Sequence, residues 1–140
     1  MSKITGIIKY QGSTLNFDGS TDIPLKAAML YLQVNSNASK SDVEKFFEKG
    51  LRGIGHHFIE DVNNILPRDQ NRFKTDEIEL YDDYGNKCKY RISNQFRRGG
   101  TQDNLNYFIR YIETKGYSIR INSIMGYNLI DISKYYNLLR

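Results

Sequence analysis

Apolar positions along this chain alternate, then recur every three or four residues, then alternate again. Ile4, Ile7 and Ile8 open a first strand, Gly12 marks a turn, and Leu15 and Phe17 sit two apart in a second short strand. Asp18-Gly19-Ser20 is loop chemistry. Pro24 suits the start of a helix whose apolar face is Ala27, Ala28, Leu30 and Tyr31. Asn35 to Lys40 is polar and reads as a surface loop. Ser41, with Glu44 three residues on, predicts a capping box and a short helix with Val43, Phe46 and Phe47 as its buried stripe, ended by Gly50.

Gly53-Ile54-Gly55-His56-His57 follows, and Ile59, Val62, Ile65 and Leu66 then recur at helical spacing up to Pro67. This predicts a glycine-rich turn feeding a helix, with two histidines at the junction. A hairpin comes next. Ile78 and Leu80 alternate with Glu77, Glu79 and Tyr81, Asp82 to Asn86 forms the turn, and Cys88, Tyr90 and Ile92 alternate with Lys87, Lys89 and Arg91. One hairpin face is apolar and the other sets acidic against basic residues. Arg97-Arg98-Gly99-Gly100 is a basic loop. Thr101 is placed to cap a helix lined by Leu105, Phe108, Ile109 and Ile112, which Gly116 ends. Tyr117, Ile119 and Ile121 alternate as another strand. Ile130 and Ile132 fit either a further strand or the start of a last helix carrying Tyr135, Tyr136, Leu138 and Leu139. The sum is an α+β (α/β-like) domain over residues 1–140, a single mixed β-sheet flanked by helices, with residues 122–140 as a C-terminal extension.

Composition narrows the class. With 140 residues, 39% hydrophobic and 26% charged, the chain is long and apolar enough for a core of its own. The net charge of +4 permits an anionic partner without demanding one. Cys88 is the sole cysteine, so no internal disulfide forms. No apolar run approaches the ~20 residues of a membrane helix. Met1 to Lys9 lacks the apolar core of a signal peptide. A cytoplasmic protein with no membrane association is expected. The two histidines and one cysteine are not at zinc-ligand spacing, so no metal is expected. No P-loop, dinucleotide fingerprint or nucleophile motif is present, and no cofactor is implied.

Three constellations remain. A helix N-terminus at Gly55-His56-His57 would offer free N–H groups to an anion, glycine would admit a phosphate to the backbone, and a histidine could protonate a leaving oxygen. The plainer alternative is a turn with two solvent-facing histidines. Arg91, Arg97 and Arg98 with Lys87 and Lys89 could grip phosphate, or guard an edge strand against aggregation. Tyrosines crowd the C-terminal third at Tyr107, Tyr111, Tyr117, Tyr127, Tyr135 and Tyr136, where core or interface packing is favoured over base stacking.

The order of Ile54-Gly55-His56, Asn71-Arg72 and Ile92-Ser93-Asn94-Gln95-Phe96-Arg97-Arg98-Gly99 resembles the small viral ring nucleases, type III anti-CRISPR proteins that degrade cyclic tetra-adenylate. Ile23 to Leu32, ahead of the Gly-His, is similar to the helix those proteins carry after their first loop. The resemblance covers roughly Ile4 to Ile121, leaving out Asn35 to Lys40 and the tail from Asn122. It implies that His56 protonates the leaving 5′ oxygen while a ribose 2′-hydroxyl attacks its own phosphate. It implies ligand contacts from Gly55, His57 and Arg72, from Gln95 by strict spacing with Arg97 and Arg98 as neighbours, and from Ser13 and Thr14 after the first strand. It also implies a homodimer with one cyclic oligonucleotide across the two-fold axis, in the cytoplasm of an infected bacterium. The family usually carries Ser-Thr shortly after its histidine, where this chain has His57-Phe58-Ile59. The expectation is therefore binding, with cleavage left open. Two alternatives stand beside it: a non-enzymatic inhibitor that binds a host defence protein, and a small nucleic-acid-binding module.

Overall fold

The computed structural model describes residues 3–50, 57–94 and 101–125, with side chains for 4–50, 57–94 and 105–122. The chain is a mixed α+β fold. Strand β1 (Lys3–Tyr10) turns through Gln11 and Gly12, both at positive φ (52° and 85°), into β2 (Ser13–Asp18). Two positive φ values at the centre of a two-residue turn match the twist of an antiparallel pair. Helix α1 (Ile23–Val34) carries Pro24 in its first turn, where a missing N–H costs nothing. Helix α2 (Lys40–Phe47) and a 3₁₀ turn (Glu48–Gly50) follow. Strand β3 (Ile59–Asp61) leads into 3₁₀ turns at Val62–Asn64 and Pro67–Arg72. The hairpin β4 (Ile78–Tyr81) and β5 (Lys87–Ile92), helix α3 (Thr101–Thr114) and β6 (Tyr117–Met125) complete the described chain.

Among the described residues the strands form two antiparallel sheets, ordered β2-β1-β6 and β3-β5-β4, rather than one mixed sheet. Alternation of apolar residues states which face of a strand is buried. It does not state which edge finds which partner, so the division was invisible in the pattern. β6 runs past Asn122 to Met125, pairing Thr5 with Ser123 beyond a bulge between Thr5 and Gly6. A β-carbon on Gly6 would stand 2.1 Å from the Arg120 carbonyl oxygen and 2.7 Å from the Phe17 ring, so only glycine lets β6 cross there. The rest of the expected extension, including Ile130, Ile132 and Tyr127, Tyr135 and Tyr136, lies outside the described residues.

One apolar core joins both sheets to the helices. Ile4 and Ile8 meet Ala27, Ala28 and Leu30 of α1, Val43 and Phe47 of α2, and the predicted α3 stripe of Leu105, Phe108, Ile109 and Ile112. Rings of Phe47 and Phe58 stack at 4.7 Å, and Phe108 lies 6.2 Å from Phe58. The tyrosines described here largely serve this core. Tyr117 donates to the Ala27 carbonyl at 2.8 Å, and Tyr111 donates to that of Phe46 at 2.5 Å. Burial raises the phenol pKa of both.

Two local expectations are corrected. The capping box of α2 is Ser39 with Asp42, two residues ahead of Ser41 with Glu44: Asp42 N–H donates to Ser39 Oγ at 3.3 Å, and Ser39 N–H to Asp42 Oδ2 at 2.9 Å. Both pairs fit the pattern. Ser39 wins because its backbone is extended, and Ser41 instead donates to Asp83 at 2.6 Å. Second, the expected α-helix after the histidines is replaced by a short strand and two 3₁₀ turns. Residues 59–61 form β3, and the Asp61 carboxylate, accepting from Asn63 N–H at 2.8 Å, caps a single 3₁₀ turn at Val62–Asn64 while Asp61 itself stays extended, so a helix cannot run through it. Of the four residues at helical spacing, Ile59 is buried and Leu66 is exposed, so the stripe was accidental.

Candidate functional site

The end of the β3–β5–β4 sheet gathers the described parts of the motif segments. β3 pairs with β5 with Ile59 opposite Ile92. Ser93 N–H then extends the ladder by donating to the Phe58 carbonyl at 2.8 Å, which sets His57 beside Ser93-Asn94. Asn94 N–H donates to the Arg72 carbonyl at 2.8 Å, and its side-chain amide donates to the Asn71 carbonyl at 3.2 Å. The same amide accepts from Lys74 N–H at 2.9 Å. Asn94 thus ties the turn at 71–74 to the end of β5 with its backbone N–H and both ends of its side-chain amide.

Thr75 fixes the neighbouring stretch. β4 begins at Ile78, so β5 has no strand partner beside Ile92 on that side. The Thr75 hydroxyl takes the place of one, donating to the Ile92 carbonyl at 2.7 Å and accepting from Ile92 N–H at 3.0 Å. Arg91 donates to the Thr75 carbonyl and pairs with Glu77 at 3.2 Å. Its guanidinium is therefore a structural strut rather than a free phosphate grip.

His57 is 57% exposed, and its Nδ1 lies 3.4 Å from Glu44 Oε2, which also faces the Lys40 ammonium at 3.2 Å. Arg72 is 35% exposed and faces Asp69 at 3.4 Å. A guanidinium has five donors, so that contact leaves most of its fork available. Ser13 and Thr14 begin β2, opposite Tyr10 and Lys9. Asp18 at the other end of β2 lines a groove with Asn94, and five residues of strand put Ser13 about 17 Å from it. The structure therefore brings His57 and Arg72 to one junction and leaves Ser13 and Thr14 away from it. Gly55, His56, Gln95, Arg97 and Arg98 lie outside the described residues.

Among the described residues no group of His, Cys, Asp or Glu is placed to hold a metal ion, and no helix is long and apolar enough to cross a membrane. Sequence reading missed Thr75 and Lys74 because neither stands in a periodic pattern. Asn94 was inside a quoted motif, but its role depends on a partner 23 positions away. No family model, curated protein or solved structure matches the chain.

Proposed function

We propose that this is a phage or mobile-element anti-defence protein that binds a cyclic oligoadenylate messenger in the cytoplasm of an infected bacterium. The observation that carries the reading is the junction itself. Segments far apart in sequence, each adjoining or belonging to a motif that resembles one of the viral ring nucleases, are hydrogen-bonded to one another through Ser93 and Asn94. His56 precedes His57 directly, and Arg97 and Arg98 follow Asn94 by three and four positions. Because a strand follows the histidines, the phosphate is not held by a helix N-terminus. Its grip falls to side chains, with Arg72, Arg97 and Arg98 as the cations and the homodimer's two-fold axis supplying a second set.

The chemistry needs no metal. The ribose 2′-hydroxyl, giving up its proton to solvent, attacks the adjacent phosphorus, the P–O5′ bond breaks, and protonated His56 gives its proton to the departing 5′ oxygen, leaving a 2′,3′-cyclic phosphate and a 5′-hydroxyl. General acid assistance of this kind contributes ~10²–10⁴-fold. The test is incubation with cyclic tetra-adenylate in chelator, followed by chromatography, beside His56→Ala. Shorter linear products that vanish in the variant establish cleavage. Intact nucleotide that co-elutes with the protein establishes sequestration. Intact nucleotide with no binding overturns the proposal and puts the protein-binding inhibitor first.

A further inference from the structure

A groove of about 630 Å³ opens beside this junction, between the turns at 62–74 and the Glu77–Arg91 pair. Its size is that of a small-molecule site, ~300–1,000 Å³. Val62, Ile65 and Phe73 give it an apolar wall, and Gln70, Lys74 and Glu77 give it polar groups. A neighbouring groove of about 400 Å³ shares Lys74 but adds Asp18, Asp22 and Asp76. The two differ in charge. Lys74 and Arg91 outweigh Glu77 in the first, while three carboxylates outweigh Lys74 in the second. An anion is drawn to the first. Arg91 is already held by Glu77 and the Thr75 carbonyl. Lys74 is anchored through its backbone N–H to Asn94, and its ammonium has no partner among the described residues. The Gln70 amide is likewise exposed at the groove's edge.

We propose that this groove seats the base and phosphate of an adenine nucleotide. The apolar wall covers the face of the base. The Gln70 amide pairs with adenine N6 and N7, a donor–acceptor match that the corresponding N7 and O6 edge of guanine, with two acceptors, does not offer. The Lys74 ammonium meets the phosphate. The choice of adenine rests on the function proposed above. The apolar wall and the positive charge do not.

The experiment is calorimetric titration of the full chain with adenosine monophosphate, guanosine monophosphate and inorganic phosphate, and separately with cyclic tetra-adenylate. Gln70→Ala and Lys74→Ala are titrated in parallel. Neither side chain makes a bond the fold needs among the described residues, so both variants fold. The expected result is that the adenine nucleotide binds at least tenfold more tightly than phosphate or the guanine nucleotide, and that each variant loses about tenfold. Adenosine monophosphate that binds no better than phosphate, or binds both variants as well as the parent, overturns the inference. If cyclic tetra-adenylate still binds in that case, the proposed function stands without the groove. If adenosine monophosphate binds through Gln70 and Lys74 while cyclic tetra-adenylate does not bind, the groove stands and the cyclic ligand is wrong.

Discussion

Replacing Thr75 with valine tests whether one hydroxyl closes the second sheet. Valine keeps the shape of threonine and removes the oxygen. Thr75 is 8% exposed and Ile92 is fully buried, so water cannot replace the lost partner. Two backbone groups are stranded at once, the N–H and the C=O of Ile92. Each buried unpaired group costs ~1–3 kcal/mol, which puts the variant about 3 kcal/mol below the parent. Serine is the control. It retains both hydrogen bonds and loses a methyl group, a cost of about 1 kcal/mol. Urea unfolding followed by circular dichroism reads the difference as a fall in midpoint at constant slope. In thermal melts the valine variant should lose ~10 °C, at about 3 °C per kcal/mol for a chain of this size. If valine destabilises no more than serine, the hydroxyl does not carry the ladder and the account of this edge is wrong.

Gly50→Ala should destabilise by ~1–3 kcal/mol in the same assay, because its β-carbon would stand 2.8 Å from the Tyr111 ring and 2.9 Å from that of Phe108; an unchanged midpoint would mean those rings yield freely. Tyr117→Phe should cost about 1 kcal/mol through loss of its bond to the Ala27 carbonyl, read against Tyr84→Phe, whose ring is exposed. The Asp82 carboxyl is held below its ordinary range, chiefly by the Asn86 N–H and also by that of Tyr84. A depressed folded pKa means stability present above the unfolded value and lost as pH falls through the folded one, so the hairpin turn should loosen as pH falls below the ordinary aspartate range, and Asp82→Asn should remove that dependence in amide-exchange profiles. Burial first, and then the Asp82 charge, push the Cys88 thiol up. Iodoacetamide should therefore modify it slowly at neutral pH and faster in Asp82→Asn, whereas equal rates would discount the carboxylate.

The elements most legible in the sequence were those whose signal is local. The β4–β5 hairpin alternates cleanly and its turn carries Gly85 at a φ of 84°, so Glu79 falls opposite Lys89 as the charge pattern implied. Helix α3 was legible because Leu105, Phe108, Ile109 and Ile112 occupy one face and all are buried. β3 was misread because spacing alone does not show that Asp61 is extended and caps a short 3₁₀ turn behind it. Of the candidate site, His57 and Arg72 were legible as residues with useful chemistry. That both flank the Ser93-Asn94 segment was not, since it depends on Ser93 bonding to Phe58 and Asn94 reaching across a turn to Arg72. Arg91 shows the converse: a cation that looked available is committed to Glu77 and Thr75.

The pairing of β1 with β6 joins Ile4 to Ile124. A ribosome therefore releases the first sheet's central strand long before its second neighbour exists. Until the last described strand emerges, β1 can complete only its hairpin with β2, and its other edge stays open to any extended segment nearby. Closing a loop of that length is slow relative to the local hairpins, so the nascent chain passes through a state in which the second sheet can form and the first cannot. Chains truncated ahead of Tyr117 should consequently aggregate rather than fold, while a circular permutant that links the two ends and opens elsewhere would bring β1 and β6 together early.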